Sequence, residues 1–286
     1  MVGSTFQRVA IVGVGLLGGS VALGLRRRNP DVHVVGIGRR ESSLDTAMEL
    51  GIIDSSSLHV SEGIRGCDLV ILATPVGTFE MLLEQMAGSL EKGALVTDVG
   101  STKREVVETA ERILGARGPF VGSHPMAGSE KTGPENARED LLDGATCIVT
   151  PGKKTPAKLT LRTQNLWTGL GMKVVTMSPA EHDQAVGDVS HLPHLLSCLL
   201  MVLPDDEHLS LGATGFADMT RLAAGEETMW RDIFLSNRLA LLDSVEQMLT
   251  RLNAVRSDLE ANEPDLPEKL MELLTEARRR KLDQSE

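Results

Sequence analysis

The chain of 286 residues contains no tyrosine, and its aromatic residues are limited to five Phe and two Trp. Without a phenol, the chemistry cannot use a tyrosine as proton donor, acid or nucleophile, which excludes dehydrogenases built on a Tyr–Lys pair. The core must consist mainly of Leu, Val, Ile, Ala and Met. With 41% hydrophobic and 24% charged residues, the chain is long enough to fold as two ordinary globular domains or one large one.

Basic residues are also in deficit, since 29 Lys and Arg stand against 40 Asp and Glu for a formal net charge of −11. An acidic surface repels nucleic acid and anionic lipid, so we expect neither as a partner. The same surface opposes an anionic small substrate, which would need a local cluster of basic groups.

Cysteines and long apolar runs are scarce as well. Cys67, Cys147 and Cys198 lie far apart, are odd in number and show no metal-type spacing, which indicates a reducing compartment and predicts no metal site. No apolar run approaches the roughly 20 residues of a membrane span, and the first residues lack the build of a signal peptide. We therefore expect a cytoplasmic protein that has no membrane partner.

Short apolar strands alternate with helices in the first half of the chain. Strands are predicted at residues 9–12, 32–37, 68–73 and 94–99, with weaker ones at 120–121 and 146–149. Helices are predicted at residues 16–28, from 42 onward, and near 77–90, 102–115 and 157–170. This alternation predicts an α/β domain with a doubly wound parallel sheet that is covered on both faces.

Strand-like runs stop after about Pro179, and helical periodicity replaces them. Leu235, Leu242, Leu249 and Leu252 recur as on one helix face, which predicts a single helix over residues 230–261. A second amphipathic helix over 266–282 ends in a basic run, which we interpret as favourable charge at a helix C-terminus. We divide the chain into an N-terminal domain of residues 1–177 and an all-helical domain of residues 178–286.

A glycine-rich turn follows the first predicted strand and opens the first helix. Gly13 allows the tight turn, Gly15 lets a pyrophosphate approach the backbone, and Gly18 lets the helix pack closely on the strand. Leu16 and Leu17 complete the motif, and the helix N-terminus faces the phosphates. In this strand–turn–helix context the motif predicts a Rossmann-type dinucleotide site, the alternative being a glycine-rich turn that binds nothing.

The end of the second strand indicates which dinucleotide is bound. A site that prefers NAD carries an acid there, on the ribose 2′-hydroxyl, whereas this chain has Gly38, Arg39 and Arg40. Two arginines can bind a 2′-phosphate and stack on adenine, so the pattern favours NADP over NAD. The alternative is a pair of solvated surface arginines.

Two more turns follow the third and fourth strands. Thr74 and Pro75 end the third strand, and Val99, Gly100 and Ser101 follow the fourth. Ligands of such sheets lie at the carboxyl ends of the strands, so both turns are predicted to line the nicotinamide half of the site. Ser101 is also placed to act as the N-cap of the helix that follows it.

Three places carry the remaining polar candidates: SHPMAGSE at 123–130, His182–Asp183 with SHLPH at 190–194, and TRLA at 220–223 followed by MWRD at 229–232. Together with GVGLLGGS at 13–20, they resemble the prephenate dehydrogenase family of tyrosine biosynthesis, which includes arogenate and cyclohexadienyl dehydrogenases. The resemblance runs from about residue 7 to 260. It implies an N-terminal Rossmann-type domain and a helical C-terminal domain that forms a homodimer.

The reaction that the resemblance implies is the oxidative decarboxylation of prephenate. Hydride leaves ring C4 for NAD(P)⁺, CO₂ leaves C1, and the aromatised product is 4-hydroxyphenylpyruvate. His124 matches the family's catalytic histidine, whose neutral imidazole accepts the hydrogen bond of the 4-hydroxyl. Ser101 matches a serine that contacts the same hydroxyl. Arg221 matches the arginine that binds a substrate carboxylate.

Five further residues are carried over from the family as substrate-binding candidates. His194, with Ser190 and His191, matches the motif that lines the pocket from the helical domain. Trp230 aligns with a tryptophan that can reach the neighbouring subunit's site, and Glu130 is a candidate gate or ion-pair partner. The resemblance favours prephenate as the substrate and leaves arogenate as the alternative.

Two other classes of protein remain to be weighed. β-Hydroxyacid dehydrogenases and imine reductases also join a Rossmann domain to a helical one, but many depend on a lysine in the helical half. This chain has no lysine between residues 174 and 268, which argues against them. A non-catalytic module that senses NADP would have no reason to carry His124, His194 and Arg221 together.

Overall fold

The computed structural model describes residues 6–115, 118–128, 131–261 and 264–284. The chain forms two compact units, residues 1–241 and residues 242–286, and each is described by itself. The domain boundary that we place between residues 177 and 178 falls inside the first unit and stays a prediction.

The strands of the described chain all lie in the first unit. They are β1 (Arg8–Val12), β2 (His33–Ile37), β3 (Ser55–Ser57), β4 (Leu69–Leu72), β5 (Leu95–Asp98), β6 (Gly122–Pro125), β7 (Thr146–Thr150) and β8 (Lys173–Thr176).

Helices cover the sheet and form the rest of the chain. Those that begin before residue 200 are α1 (Leu16–Arg28), α2 (Glu41–Glu49), α3 (Val60–Gly63), α4 (Phe79–Met86), α5 (Arg104–Leu114), α6 (Ala157–Gly169), α7 (Pro179–Val186) and α8 (Leu192–Val202). They are followed by α9 (Asp206–Leu209), α10 (Thr214–Thr220), α11 (Glu227–Ser236), α12 (Arg238–Ala261) and α13 (Leu266–Asp283). Short 3₁₀ turns lie at Val76–Thr78, Pro134–Asn136 and Arg221–Ala224, and Gly187–His191 is a π-helical segment.

The main sheet has five parallel strands in the order β3-β2-β1-β4-β5, which confirms the predicted α/β fold with a doubly wound parallel sheet. Alternate residues of β1 face the two sides of this sheet: Val9 and Ile11 join one core cluster, and Ala10 and Val12 join the other. Strand β3, which pairs only with β2, was not predicted because its three serines carry no apolar pattern.

A second sheet departs from the all-parallel prediction. It has the order β6-β7-β8, and β6 runs antiparallel to β7. At 120–121 the structure has only an isolated parallel bridge between Phe120 and Val96, and the strand itself begins at Gly122, so His124 lies within it. Strand β8 was also missed, because its largely exposed residues lack the pattern of a buried strand.

Four of the seven aromatic residues, Phe6, Phe79, Phe120 and Trp167, are buried in the core. Trp167 on α6 is fully buried, and its indole Nε1 donates to Ser123 Oγ at 2.8 Å. This bond satisfies the one polar atom of the largest core side chain and connects α6 to β6.

Helices α7 and α8 and the π segment between them form one continuous rod, residues Pro179–Val202. By length and composition this rod is apolar enough to cross a membrane, although only 33% of the relevant window is buried within the structure. The segment contains Glu181, Asp183 and Asp188, so it is not an uninterrupted apolar run of the kind that the sequence expectation concerns. His182 and Asp183 lie buried in the same rod, where they make the hydrogen bonds described below.

The helix predicted over residues 230–261 is interrupted. Helix α11 ends at Ser236, Asn237 adopts a non-helical conformation, and α12 begins at Arg238. The Asn237 side chain is 4% exposed because it turns inward to hydrogen-bonding partners, which explains the break. In the second unit, Arg279 and Arg280 of α13 both pair with Glu276.

Candidate active site

A cavity of about 410 Å³ lies at the carboxyl ends of β1, β2 and β4. Seven of the sequence-predicted cofactor residues line it: Gly13, Gly15, Gly38, Arg39, Arg40, Thr74 and Pro75. Leu16, Leu17, Gly18, Val99 and Gly100 do not. Sequence reasoning missed other lining residues, among them Ser43, Thr78, Gln85 and Pro134, whose types carry no recognisable nucleotide signal.

The glycines of the first turn fit a dinucleotide. Gly13 has φ +100°, and a Cβ there would meet the Ala73 carbonyl oxygen at 2.6 Å, so this turn needs glycine. A Cβ on Gly15 would meet nothing within 4 Å, which leaves open space against the backbone. Gly18 packs against the Gly13 carbonyl oxygen. Helix α1 has no side-chain cap and no acid in its first turn, so its N-terminal N–H groups suit a phosphate.

A buried ion pair joins the turn after β5 to strand β6. The Lys103 ammonium contacts Asp98 Oδ2, and both side chains are fully buried. Asp98 Oδ2 also accepts from the Gly100 N–H at 2.9 Å, and Asp98 Oδ1 accepts from the Ser123 N–H at 2.9 Å. Burial raises the pKa of Asp98, and the ammonium of Lys103 opposes that shift. This carboxylate therefore connects the Gly100–Ser101 turn to the strand that carries His124.

His124 begins a chain of hydrogen bonds that ends on a carboxylate. Its Nδ1 lies 2.8 Å from His182 Nε2, and His182 Nδ1 lies 2.7 Å from Asp183 Oδ1. His182 is 0% and Asp183 is 3% exposed, whereas His124 keeps 9% of its surface. Burial holds the pKa of His124 well below its ordinary value, and the neighbouring His182 and Lys103 lower it further. Burial likewise lowers the pKa of His182.

Asp183 also binds the start of helix α5. It accepts from the N–H groups of Lys103 at 2.7 Å and Arg104 at 2.9 Å, where the helix dipole favours negative charge. The prediction that Ser101 is the N-cap is therefore wrong, because α5 begins at Arg104 and its N-cap residue is Lys103. Ser101 is half-buried in the turn before it.

Asn237, at the break between α11 and α12, holds the π segment. Its Nδ2 donates to the Asp183 carbonyl oxygen at 2.8 Å and lies 2.9 Å from His191 Nδ1. Burial lowers the pKa of His191 to about 4, so its ring is neutral and accepts this hydrogen bond. A π-helical turn at this place is typical of functional sites.

An aromatic cluster adjoins His191. His194 stacks on Trp230 with ring centroids 3.5 Å apart, and Phe234 lies 5.6 Å from Trp230. A Cβ on Gly225 would meet the His194 Cε1 atom at 2.8 Å, so this close packing depends on glycine. His194 Nδ1 is buried and has no hydrogen-bond partner in the described chain, and burial lowers its pKa.

The remaining candidates are less closely tied to this cluster. Ser190 is half-buried in the π segment, and Arg221 is exposed at the start of the 3₁₀ turn Arg221–Ala224. Neither side chain bonds to His124 within the described residues. Glu130 lies outside the residues that the structure describes.

Sequence reasoning named His182 and Asp183 among the polar candidates, but it predicted none of the contacts by which Asp98, Lys103, His182, Asp183 and Asn237 surround His124. The signal that could have found Asp98 and Lys103 is their position at the carboxyl end of a buried strand. Asp183 lies 80 residues from the backbone group it accepts from, and no local pattern reports such a contact.

Two family models match the chain. A model described as the nucleotide-binding domain of prephenate dehydrogenase matches residues 21–176, and one described as its dimerization domain matches residues 178–276. Together they cover most of the chain.

Curated and solved proteins are similar over nearly the same length. A prephenate dehydrogenase of Bacillus subtilis is 37% identical over 264 residues, which is 90% of this chain and 71% of the relative. A cyclohexadienyl dehydrogenase of Zymomonas mobilis is 31% identical over 92% of each chain. The crystal structure of A. aeolicus prephenate dehydrogenase in complex with hydroxyphenyl propionate and NAD⁺ matches with a TM-score of 0.89 and 35% identity, covering 97% of this chain and 98% of that one.

Proposed function

We propose, since this chain belongs to the prephenate dehydrogenase family, that it converts prephenate to 4-hydroxyphenylpyruvate by oxidative decarboxylation for tyrosine biosynthesis. The protein is an NAD(P)-dependent oxidoreductase. The observation that carries the proposal is His124, a neutral and slightly exposed imidazole on a strand that Asp98 connects to the Gly100–Ser101 turn.

The cavity at the carboxyl ends of the strands is the site we assign to the cofactor. Gly13 and Gly15 let the pyrophosphate lie on the backbone at the start of α1, and Thr74 and Pro75 border it on the other side. When bound, NAD(P)⁺ accepts the hydride that the oxidation of ring C4 releases. The exposed Arg39 and Arg40 support a preference for NADP, because a guanidinium pairs with the ribose 2′-phosphate.

His124 is the group we assign to the substrate's 4-hydroxyl. Its neutral ring accepts the hydroxyl proton as the C4–O bond gains carbonyl character. A carboxylate in its place would repel the dianionic substrate, and imidazole is uncharged at neutral pH because the site is buried. The Ser101 hydroxyl lies in the turn that Asp98 holds, and we assign it to the same oxygen.

The substrate's carboxylates need positive charge, which the acidic chain as a whole lacks. We assign one carboxylate to Arg221, whose exposed guanidinium forms no hydrogen bond or ion pair with another described residue. The His194–Trp230 stack offers an imidazole and a flat apolar face for the ring. Ser190 and His191 line the pocket in the same proposal, and Glu130 keeps the role of gate or ion-pair partner that the resemblance implies.

A homodimer is part of the proposal, because the second family model is a dimerization domain. Apolar side chains at helical spacing on α12 are exposed in the single chain, at 46% for Leu242, 51% for Leu249 and 54% for Leu252. Covering such side chains with a second copy is the ordinary way to remove them from water.

A four-way assay tests the proposal. Purified protein is mixed with prephenate or arogenate and with NADP⁺ or NAD⁺, and the appearance of the reduced cofactor is followed by its absorbance. We expect turnover with prephenate and a higher kcat/KM for NADP⁺. Turnover with arogenate alone would make the protein an arogenate dehydrogenase, and a strong NAD⁺ preference would refute the role of Arg39 and Arg40.

A further inference from the structure

We propose that His182 and Asp183 are positioning residues that fix His124 in one tautomer, with the proton on Nδ1 and the lone pair on Nε2. This inference rests on the proposed function, in which His124 accepts the proton of the substrate hydroxyl. Neither residue was assigned a role from the sequence, and neither is exposed enough to touch substrate.

The argument begins at the carboxylate. Asp183 receives the backbone N–H groups of Lys103 and Arg104, one on each oxygen, so both of its oxygens already act as hydrogen-bond acceptors. An ionised carboxylate only accepts hydrogen bonds. The contact of 2.7 Å between His182 Nδ1 and Asp183 Oδ1 therefore requires a proton on His182 Nδ1.

The second step follows from the charge of His182. Burial lowers its pKa, and the charge of Lys103 lowers it further against the opposing pull of Asp183. A neutral imidazole that carries its proton on Nδ1 has a lone pair on Nε2. His124 Nδ1, at 2.8 Å from that Nε2, must then be the donor, which leaves the lone pair of His124 on Nε2.

The opposite tautomer of His124 is energetically unfavourable. If His124 carried its proton on Nε2, its Nδ1 and His182 Nε2 would face each other with two lone pairs, unless His182 took a second proton. That proton would add positive charge beside Lys103 and His191, in a site where both His124 and His182 are almost fully buried. Among the described residues, the carboxylates bonded within this cluster are Asp98, which pairs with Lys103, and Asp183, which already accepts two backbone N–H groups besides the bond to His182.

The arrangement also prepares the site for the reaction. When His124 takes the hydroxyl proton on Nε2, the imidazolium donates from Nδ1 to His182, which in turn donates to Asp183. The positive charge is thus stabilised through one intervening ring by a fixed carboxylate, much as the aspartate of a Ser-His-Asp triad orients and stabilises its histidine. No bond to carbon changes at His182 or Asp183, and neither one gains or loses a proton overall.

Nitrogen NMR of ¹⁵N-histidine-labelled protein tests the tautomer without any substrate. The two nitrogens of a neutral ring resonate far apart according to which one carries the proton, and the chain has only seven histidines. The His124 signals are identified by their loss in the His124→Asn variant. We expect a protonated Nδ1 and an unprotonated Nε2 for His124. A protonated Nε2 would overturn the proposal.

Kinetics of His182→Phe test whether the tautomer matters. Phenylalanine keeps a ring in place but cannot accept from His124, so we expect kcat to fall about 100-fold, while KM for prephenate and Kd for NADP⁺ change less than about threefold. His182→Gln offers an acceptor oxygen again and should recover at least part of the loss. His33→Gln, a histidine near the other end of the sheet that bonds to Ser55 Oγ, is the matched control and should turn over normally.

The kinetic results either support or overturn the role of His182. A His182→Phe enzyme within about threefold of the wild-type kcat overturns the proposal, as does a fall that glutamine does not relieve in any degree. If His182→Phe does not fold, the wild-type spectrum decides alone. Failure of the wild-type protein to oxidise prephenate would refute the proposed function instead, and the spectrum would still report on the tautomer.

Discussion

Lowering the pH from 7 to 5 should destabilise this fold before its carboxylates titrate, because the fold buries neutral histidines. Burial lowers the pKa of His191 from 6.5 to about 4. The unfolded chain therefore binds more protons than the folded one between these values, and stability falls as the pH falls through that window. The contribution is fully present above about pH 6.5 and is lost as the pH approaches 4.

The magnitude follows from the shift. Lowering the pKa of His191 from 6.5 to about 4 corresponds to a total change of about 3 kcal/mol in the free energy of unfolding. About 2 kcal/mol of this stability is lost between pH 7 and pH 5. The lowered pKa values of His124 and His182 act in the same direction, whereas the raised pKa of Asp98 acts against them. A comparison of variants is needed to isolate one histidine.

Urea unfolding followed by tryptophan fluorescence at fixed protein concentration gives the free energy of unfolding at each pH. His191→Gln removes the titrating ring and keeps a side chain that can bond to Asn237, so its stability should fall between pH 7 and pH 5 by about 2 kcal/mol less than that of the wild type. His59→Gln changes an exposed histidine and serves as the matched control. The same pH dependence in wild type and His191→Gln would refute the reasoning.

Three further predictions concern the site. His124→Asn should lower kcat by about 100-fold or more with little change in Kd for the cofactor, and near-normal turnover would remove His124 from the mechanism. Arg221→Gln should mainly raise KM for prephenate, by the equivalent of about 2–5 kcal/mol, and an unchanged KM would mean that the carboxylate binds elsewhere. Arg39→Ala combined with Arg40→Ala should lower kcat/KM for NADP⁺ far more than for NAD⁺, and an equal loss with both cofactors would contradict the 2′-phosphate role.

Local patterns were sufficient for four of the five strands of the first sheet, β1, β2, β4 and β5, and for its glycine-rich turn. The strand–turn–helix order around Gly13 and Gly18 predicts their packing, and the structure has the same turn with Gly13 at positive φ. The strands that escaped prediction, β3 and β8, lie where apolar alternation is weak, because their residues are polar or exposed.

The framework around His124 could not be predicted from the sequence, because it is built from long-range contacts. Asp183 reaches the backbone of Lys103 across 80 positions, and Asn237 reaches Asp183 across 54. Asp183 binds the start of α5, and Asn237 lies at the break between α11 and α12. Tertiary packing sets both positions and overrides local helix propensity. The motif around His124 predicts the proposed reacting group but not the residues that surround it.

The stoichiometry of a single reaction tests the central claim most directly. The wild-type protein is given prephenate and excess NADP⁺, and the reduced cofactor, CO₂ and 4-hydroxyphenylpyruvate are measured in the same vessel. Oxidative decarboxylation predicts that all three form in equal amounts, and that none forms at a comparable rate with the His124→Asn variant. Reduced cofactor without CO₂, or no reduced cofactor at all, would contradict the account.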